Sequence, residues 1–198
     1  MTIENSKNPS CILLILYLEV SLFSLPLSSV IPIYDIIETS LFRGIDMIET
    51  IYFGTYTRRL SQGIYQADFD TETGKLSNLK LFATEPSPTY LAFDQENHLY
   101  TVGSKDGQGG IAAYQTDGTL LNHVVTEGAP HCYVAVDEKR GLVYGANYHK
   151  GQVLVYKRKE DGSLELADAV QHSGHGPHEN QASPHVHFTD LTPDQYLV

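Results

Sequence analysis

From residue 47 onward, apolar and polar residues alternate in short runs separated by Gly, Pro, Asn and Asp. A period of two over roughly four to eight residues predicts strands with one covered face. Three runs share one pattern, in which the alternation carries a Tyr and ends on small or polar residues. They are Ile51-Tyr52-Phe53-Gly54-Thr55-Tyr56, Leu99-Tyr100-Thr101-Val102-Gly103-Ser104 and Val143-Tyr144-Gly145-Ala146-Asn147-Tyr148. A fourth begins at Gln195-Tyr196-Leu197-Val198, so the tyrosines at 52, 100, 144 and 196 recur every 48, 44 and 52 residues.

The flanking sequence repeats in register. Each run is followed by a strand near a Gly: Gly63-Ile64-Tyr65, Gly110-Ile111-Ala112 and Gly151-Gln152-Val153. Turns come next at Thr73-Gly74, Asp117-Gly118 and Asp161-Gly162, and Asp-Gly between alternating strands predicts a hairpin. Proline-led strands then open at Pro88, Pro130 and Pro184. Four strands per unit of roughly 45 residues is the period of a β-propeller blade. The fold class is therefore all-β, a propeller of four-stranded antiparallel blades. Helical solenoids are excluded, because no helical spacing accompanies the period.

Met47 enters at the second strand of a blade, and about three blades follow. Propellers have about four to eight. The expectation is the N-terminal part of a longer propeller, with an open blade edge available for self-association.

Residues 1–46 differ from the rest, and the domain boundary is drawn there, with the propeller over 47–198. Cys11 to Tyr34 is mostly apolar, with Glu19 its only charge and Pro26 and Pro32 inside it. Three readings stand: an upstream extension with a misassigned start, a signal or membrane anchor, or a structured N-terminal element. A membrane role is expected only if this apolar run is genuine; none is expected for 47–198, which points to the cytoplasm.

A net charge of −11 excludes a general nucleic-acid binder, which needs a basic stripe. Cys11 and Cys132 make no disulfide framework or zinc motif. Cys132 beside His131 reads as a buried thiol before it reads as a nucleophile.

Candidate chemistry gathers at 172–187, which holds five of the nine histidines, at 172, 175, 178, 185 and 187. The first three recur every third residue, a spacing that invites a metal. Gly174, Gly176 and Pro177 interrupt any rigid element there, so a polar loop is expected, with no metal and no cofactor. His185 and His187 stand two residues apart on the strand that Pro184 opens.

Gly54-Thr55-Tyr56-Thr57, Ser61-Gln62-Gly63-Ile64-Tyr65, Ala146-Asn147-Tyr148 and the 172–187 run resemble the lactonase family of seven-bladed propellers. The resemblance covers 47–198, about the first half of a family member. It implies hydrolysis of a sugar lactone, most specifically 6-phosphogluconolactone to 6-phosphogluconate in the pentose phosphate pathway, without a required metal. Gly176-Pro177, Gln181 and Pro184-His185-Val186-His187 match the family's tail pattern, whereas Asn180 stands where Arg is common. Arg would fork onto a phosphate or carboxylate; Asn can only hydrogen-bond.

Lactone hydrolysis needs a base to activate water and donors for the oxyanion. The candidates are His131 and His185 as polar lining with one as base, and Glu179 as base or as the group that orients a histidine. Asn147, Asn180, Gln181 and His187 are candidates for holding the substrate. The competing reading is a non-catalytic propeller that uses its mouth as a binding scaffold.

Overall fold

A computed structural model describes residues 48–198 and the backbone of Cys11–Leu13. Twelve strands are ordered β1 Cys11–Leu13, β2 Ile48–Phe53, β3 Gly63–Asp70, β4 Lys75–Thr84, β5 Leu91–Phe93 and β6 Leu99–Lys105, then β7 Gln108–Tyr114, β8 Leu120–Thr126, β9 Tyr133–Asp137, β10 Leu142–Asn147, β11 Gln152–Arg158 and β12 Leu164–Gln171. They form three sheets, β1-β2-β3-β4, β5-β6-β7-β8 and β9-β10-β11-β12. We call these blades 1, 2 and 3. Blades 2 and 3 are wholly antiparallel, and their first strands, β5 and β9, approach each other as do their last, β8 and β12. This is the radial packing expected of a propeller.

The expected hairpins form. Gly118 and Gly162 take φ of 85° and 83°, and the carboxylates of Asp117 and Asp161 accept from the amides of Thr119 and Ser163. Only Gly, Asn or Asp enters that region cheaply, which explains the Asp-Gly signal.

The expected strand led by Pro184 does not pair, because among the described residues no neighbouring strand meets it. Beyond it the chain turns into a small hairpin closed by a Leu191–Leu197 bridge. β1 lies along β2 in parallel, with Ile12 opposite Ile51. The three readings of the N-terminal run otherwise fall outside the described residues.

The core lies between blades. Tyr100, Val102, Ile111 and Ala113 of blade 2 pack with Val134, Val143, Leu154, Tyr156 and Leu164 of blade 3. Blade 1 meets blade 2 through Ile64 and Ala83 against Leu91, Leu99, Ala112 and Tyr114. Fully burying an aliphatic or aromatic side chain contributes about 1.5–3 kcal/mol, so these seams dominate the stability.

Buried polar groups fix how the seams align. In blades 2 and 3 the repeating Tyr donates to the Asp that ends or follows the first strand: Tyr100 to Asp94 at 3.1 Å and Tyr144 to Asp137 at 3.0 Å. Desolvation of its ring and the nearby Asp137 carboxylate push Tyr144 up to about 12. Arg158 of blade 3 reaches back to Asp94 at 2.8 Å and Glu138 at 3.0 Å. Between blades 1 and 2, the buried Glu85 carboxylate accepts from the Ser104 amide at 3.0 Å and the Tyr114 hydroxyl at 2.5 Å, and lies 2.8 Å from His123 Nε2. Gly103 is required beside it, since a Cβ there would stand 2.6 Å from Glu85 Oε1.

His131 fills the seam between blades 2 and 3. Its ring lies against Gly145 and its Nε2 is 2.6 Å from the Tyr156 hydroxyl, while Nδ1 has no partner. Burial, with Lys150 nearby, lowers its pKa from 6.5 to about 4. The folded state therefore binds this proton more weakly than the unfolded chain. Stability is full above pH 6.5 and falls as pH drops towards 4.

Two predictions follow from these seams. Glu85→Ala strands three donors in a buried site and should cost about 3 kcal/mol in urea unfolding, with Glu85→Gln costing less. At one pKa unit per ~1.4 kcal/mol, His131 should account for about 2 kcal/mol lost between pH 7 and 5. His131→Gln should flatten that part of the stability–pH curve; an unchanged slope would show that His131 is not the titrating group.

Candidate active site

The histidines that the structure brings together surround Tyr148, the residue after β10. His185 stacks on its ring at 4.3 Å between centroids, with planes 21° apart. His187 meets it edge-on at 5.9 Å, and His149 at 5.4 Å. On a regular strand residues two apart share a face, but this segment pairs with no strand among the described residues. His185 takes φ of 53°, the left-handed region, and its ring and that of His187 both reach Tyr148. A non-glycine residue held there stores about 1 kcal/mol or more, and such strain gathers at functional sites.

The surroundings hold this arrangement in place. Gly151, at φ 62°, faces the Pro184 ring, and a Cβ on it would meet three Pro184 atoms at 3.3 Å. Gln171 Nε2 donates to the carbonyls of Lys150 and Gly151, fixing the 148–151 turn from β12. Val186 packs on Tyr133 and Ala146.

Other candidates stand elsewhere. His131 is buried in the seam, only 3% exposed, so it does not present an open wall to substrate. Asn147 is 1% exposed, and both ends of its amide are engaged. Nδ2 donates to the Ala129 carbonyl at 3.0 Å and Oδ1 accepts from the Lys150 amide at 3.0 Å. These two bonds shape the turn that carries Tyr148. Glu179, Asn180 and Gln181 form an exposed 3-10 turn, and among the described residues no hydrogen bond or ion pair joins Glu179 to a histidine. Asn180 donates its backbone amide to His178 Nδ1 at 3.2 Å, and the residue is exposed.

Cys132 is a half-buried free thiol. Its Sγ approaches the carbonyls of Ala146 and His187 at 3.4 Å, and burial pushes its pKa up, away from the reactive thiolate. Among the described residues no three His, Cys, Asp or Glu side chains converge on a point that could hold a metal. His172, His175 and His178 are exposed and spread along the loop.

Chemically, the Tyr148 cluster offers two accessible imidazoles on one platform, able to take a proton from water and to donate to a developing oxyanion. Two groups were not singled out from the sequence. Tyr148 appears there only as a strand end, and its partner lies 37 residues on. The Glu85–His123–Tyr114 cluster comes from three separate segments, and Glu85 before Pro86 reads as a loop acid.

Residues 50–198 match the family described as lactonase, 7-bladed beta-propeller. The chain is 53% identical over 155 residues to an uncharacterised protein of Lactococcus lactis subsp. lactis, covering 77% of this chain and 46% of that one. It is 45% identical over 154 residues to a 6-phosphogluconolactonase of Bacillus subtilis, covering 74% and 44%. Among solved structures, a protein from Lactobacillus plantarum superposes with a TM-score of 0.74 at 55% identity, over 76% of this chain and 45% of that one. The chain thus spans about half the length of the curated relatives it matches. With a family match over three quarters of its length and blades that repeat as the family's do, this chain belongs to the lactonase family of seven-bladed β-propellers.

Proposed function

We propose that the chain contributes to a hydrolase acting on a sugar lactone, with 6-phosphogluconolactone as substrate and 6-phosphogluconate as product. The observation that carries this reading is the His185–Tyr148 stack with His187 beside it. It is a partly accessible imidazole pair, His185 held at a left-handed φ, in a chain 45% identical to a 6-phosphogluconolactonase.

In this reading His185 takes a proton from water as the oxygen attacks the lactone carbonyl. His187 and the Asn180 and Gln181 amides donate to the oxyanion and the sugar hydroxyls. The ring C–O bond then breaks, and the proton held on His185 passes to the departing alkoxide. One lactone and one water give one hydroxy acid, so no metal or cofactor is needed to balance the step. Asn180 in place of Arg leaves this loop without a fork for the phosphate, and that anchor belongs to other residues. Among the described residues no helix is long and apolar enough to cross a membrane. With a phosphorylated sugar as substrate, the cytoplasm is the proposed location.

A second reading, a binding scaffold without catalysis, draws on Asn147 and His131 being committed to the fold.

Lactone hydrolysis, followed as acid release at pH 7 with 6-phosphogluconolactone and with the unphosphorylated lactone, separates the two. His185→Ala should lower kcat/KM by about 10²–10⁴-fold, the range for losing a general base. His131→Gln should leave kcat within a few-fold while lowering stability. Absence of any enzymatic rate above buffer would favour the scaffold, and full activity in His185→Ala would remove His185 from the mechanism.

A further inference from the structure

Cations are treated differently at the two ends of blade 3. The turn 148–151 joins β10 to β11 at one end, where β12 also finishes at Gln171. Asp137, Arg158 and Leu164 mark the opposite end. There the cations are paired: Arg140 with Asp137 at 2.8 Å, Arg158 with Asp94 at 2.8 Å and Glu138 at 3.0 Å, and Lys159 with Glu165 at 3.5 Å. At the Tyr148 end, Lys150 has no such partner. Among the described residues no ion pair joins it to an acid, Glu127 of the neighbouring loop included.

The fold holds this lysine in place. Its amide donates to Asn147 Oδ1 at 3.0 Å, and its carbonyl accepts from Gln171 Nε2 at 2.8 Å. Its backbone is thereby fixed two residues from Tyr148, at most about 7 Å along the chain. The side chain extends to the loop at 127–130, which Asn147 ties to the same turn through the Ala129 carbonyl at 3.0 Å. A Cβ on Gly128, where φ is 108°, would stand 2.8 Å from Lys150 Cε and 3.5 Å from Nζ. Lys150 is half-buried, and its charge adds to burial in lowering the pKa of His131. An ammonium partly withdrawn from water and unmatched by a carboxylate favours an incoming anion.

The repeat distinguishes Lys150 from its counterparts. Counting from Tyr52, Tyr100 and Tyr144, positions 58, 106 and 150 correspond. Arg58 lies over the Tyr56 ring at 4.7 Å, and Asp106 carries the opposite sign. Only in blade 3 does this position set a cation beside the paired histidines.

Resting on the lactonase reading, we propose that Lys150 is the anion anchor of the Tyr148 site. Its ammonium holds the phosphate of a phosphorylated sugar lactone while His185 and His187 face the ester. A flexible stem carrying a point charge with three donors suits a phosphate that moves as the ring opens. It also supplies the cation that Asn180 does not. Because the phosphate is the same in lactone, transition state and product, this contact lowers KM and leaves kcat nearly unchanged.

The test pairs turnover with binding. Hydrolysis of 6-phosphogluconolactone and of the unphosphorylated lactone is followed as acid release, and 6-phosphogluconate and gluconate are titrated by calorimetry. Lys150→Met keeps a stem over Gly128 and removes the charge. It should raise KM for the phosphorylated lactone and weaken 6-phosphogluconate by roughly 10–100-fold, the range for a hydrogen bond to a charged group. The kcat and the rate on the unphosphorylated lactone should stay within about twofold. Lys150→Arg should keep most of the preference for phosphate, and Glu127→Gln all of it. An unaltered chain that binds 6-phosphogluconate no better than gluconate would overturn the anchor. So would a Lys150→Met loss that falls equally on both lactones, which marks a structural role. Turnover with the phosphate preference intact in Lys150→Met would remove Lys150 and leave the lactonase reading standing. Binding of 6-phosphogluconate that depends on Lys150, without turnover, would remove hydrolysis and leave the anchor.

Discussion

A blade of four strands has two faces, and each must be covered by another blade. That requirement governs the structure. The seam between blades 2 and 3 meets it most fully, with Val102 and Ile111 set against Val134, Val143 and Leu154 around the buried rings of Tyr100 and Tyr156. Such a seam is apolar and broadly flat, so apolar burial alone would tolerate sliding. The buried polar contacts remove that freedom. Arg158 can reach Asp94 and Glu138 in only one alignment, and Glu85 can satisfy Ser104, Tyr114 and His123 in only one. Burial supplies the stability, and satisfaction of desolvated charge supplies the register.

The same economy explains the fate of two candidate residues. A histidine and an asparagine near strand ends look available for chemistry when only their neighbours in sequence are known. In the folded chain His131 is enclosed by Gly145 and Tyr156, and Asn147 has both ends of its amide bound to backbone. Their partners, Tyr156 and Ala129, come from other parts of blade 3 and its approach. What remains accessible is a platform built on Tyr148, where His185 accepts backbone strain to share a ring with His187. The blade makes that strain tolerable, because Gly151, Pro184 and Gln171 fix the chain on both sides.

This separates the parts of the 172–187 run. Its first three histidines are exposed on a loop without convergent partners. Its last two are drawn into the blade end by the aromatic contacts of Tyr148, with Val186 seated in the adjoining cluster. Cys132 Sγ approaching the Val186 and His187 carbonyls belongs to the same anchoring.

The sequence by itself determined the blade. Alternation fixed which residues form strands, Asp-Gly fixed the hairpins at Gly118 and Gly162, and the recurring tyrosines fixed the period, because each depends on chemistry within a few residues. It also marked 185 and 187 as residues of interest. Only the tertiary structure decided which polar groups face one another: Tyr100 with Asp94, Glu85 with His123, His131 with Tyr156 and His185 with Tyr148. The physical reason is that desolvation acts on groups gathered from distant segments, whose pairing spacing along the chain does not reveal. Period two predicts the strand; the neighbouring blade decides what its ends can do.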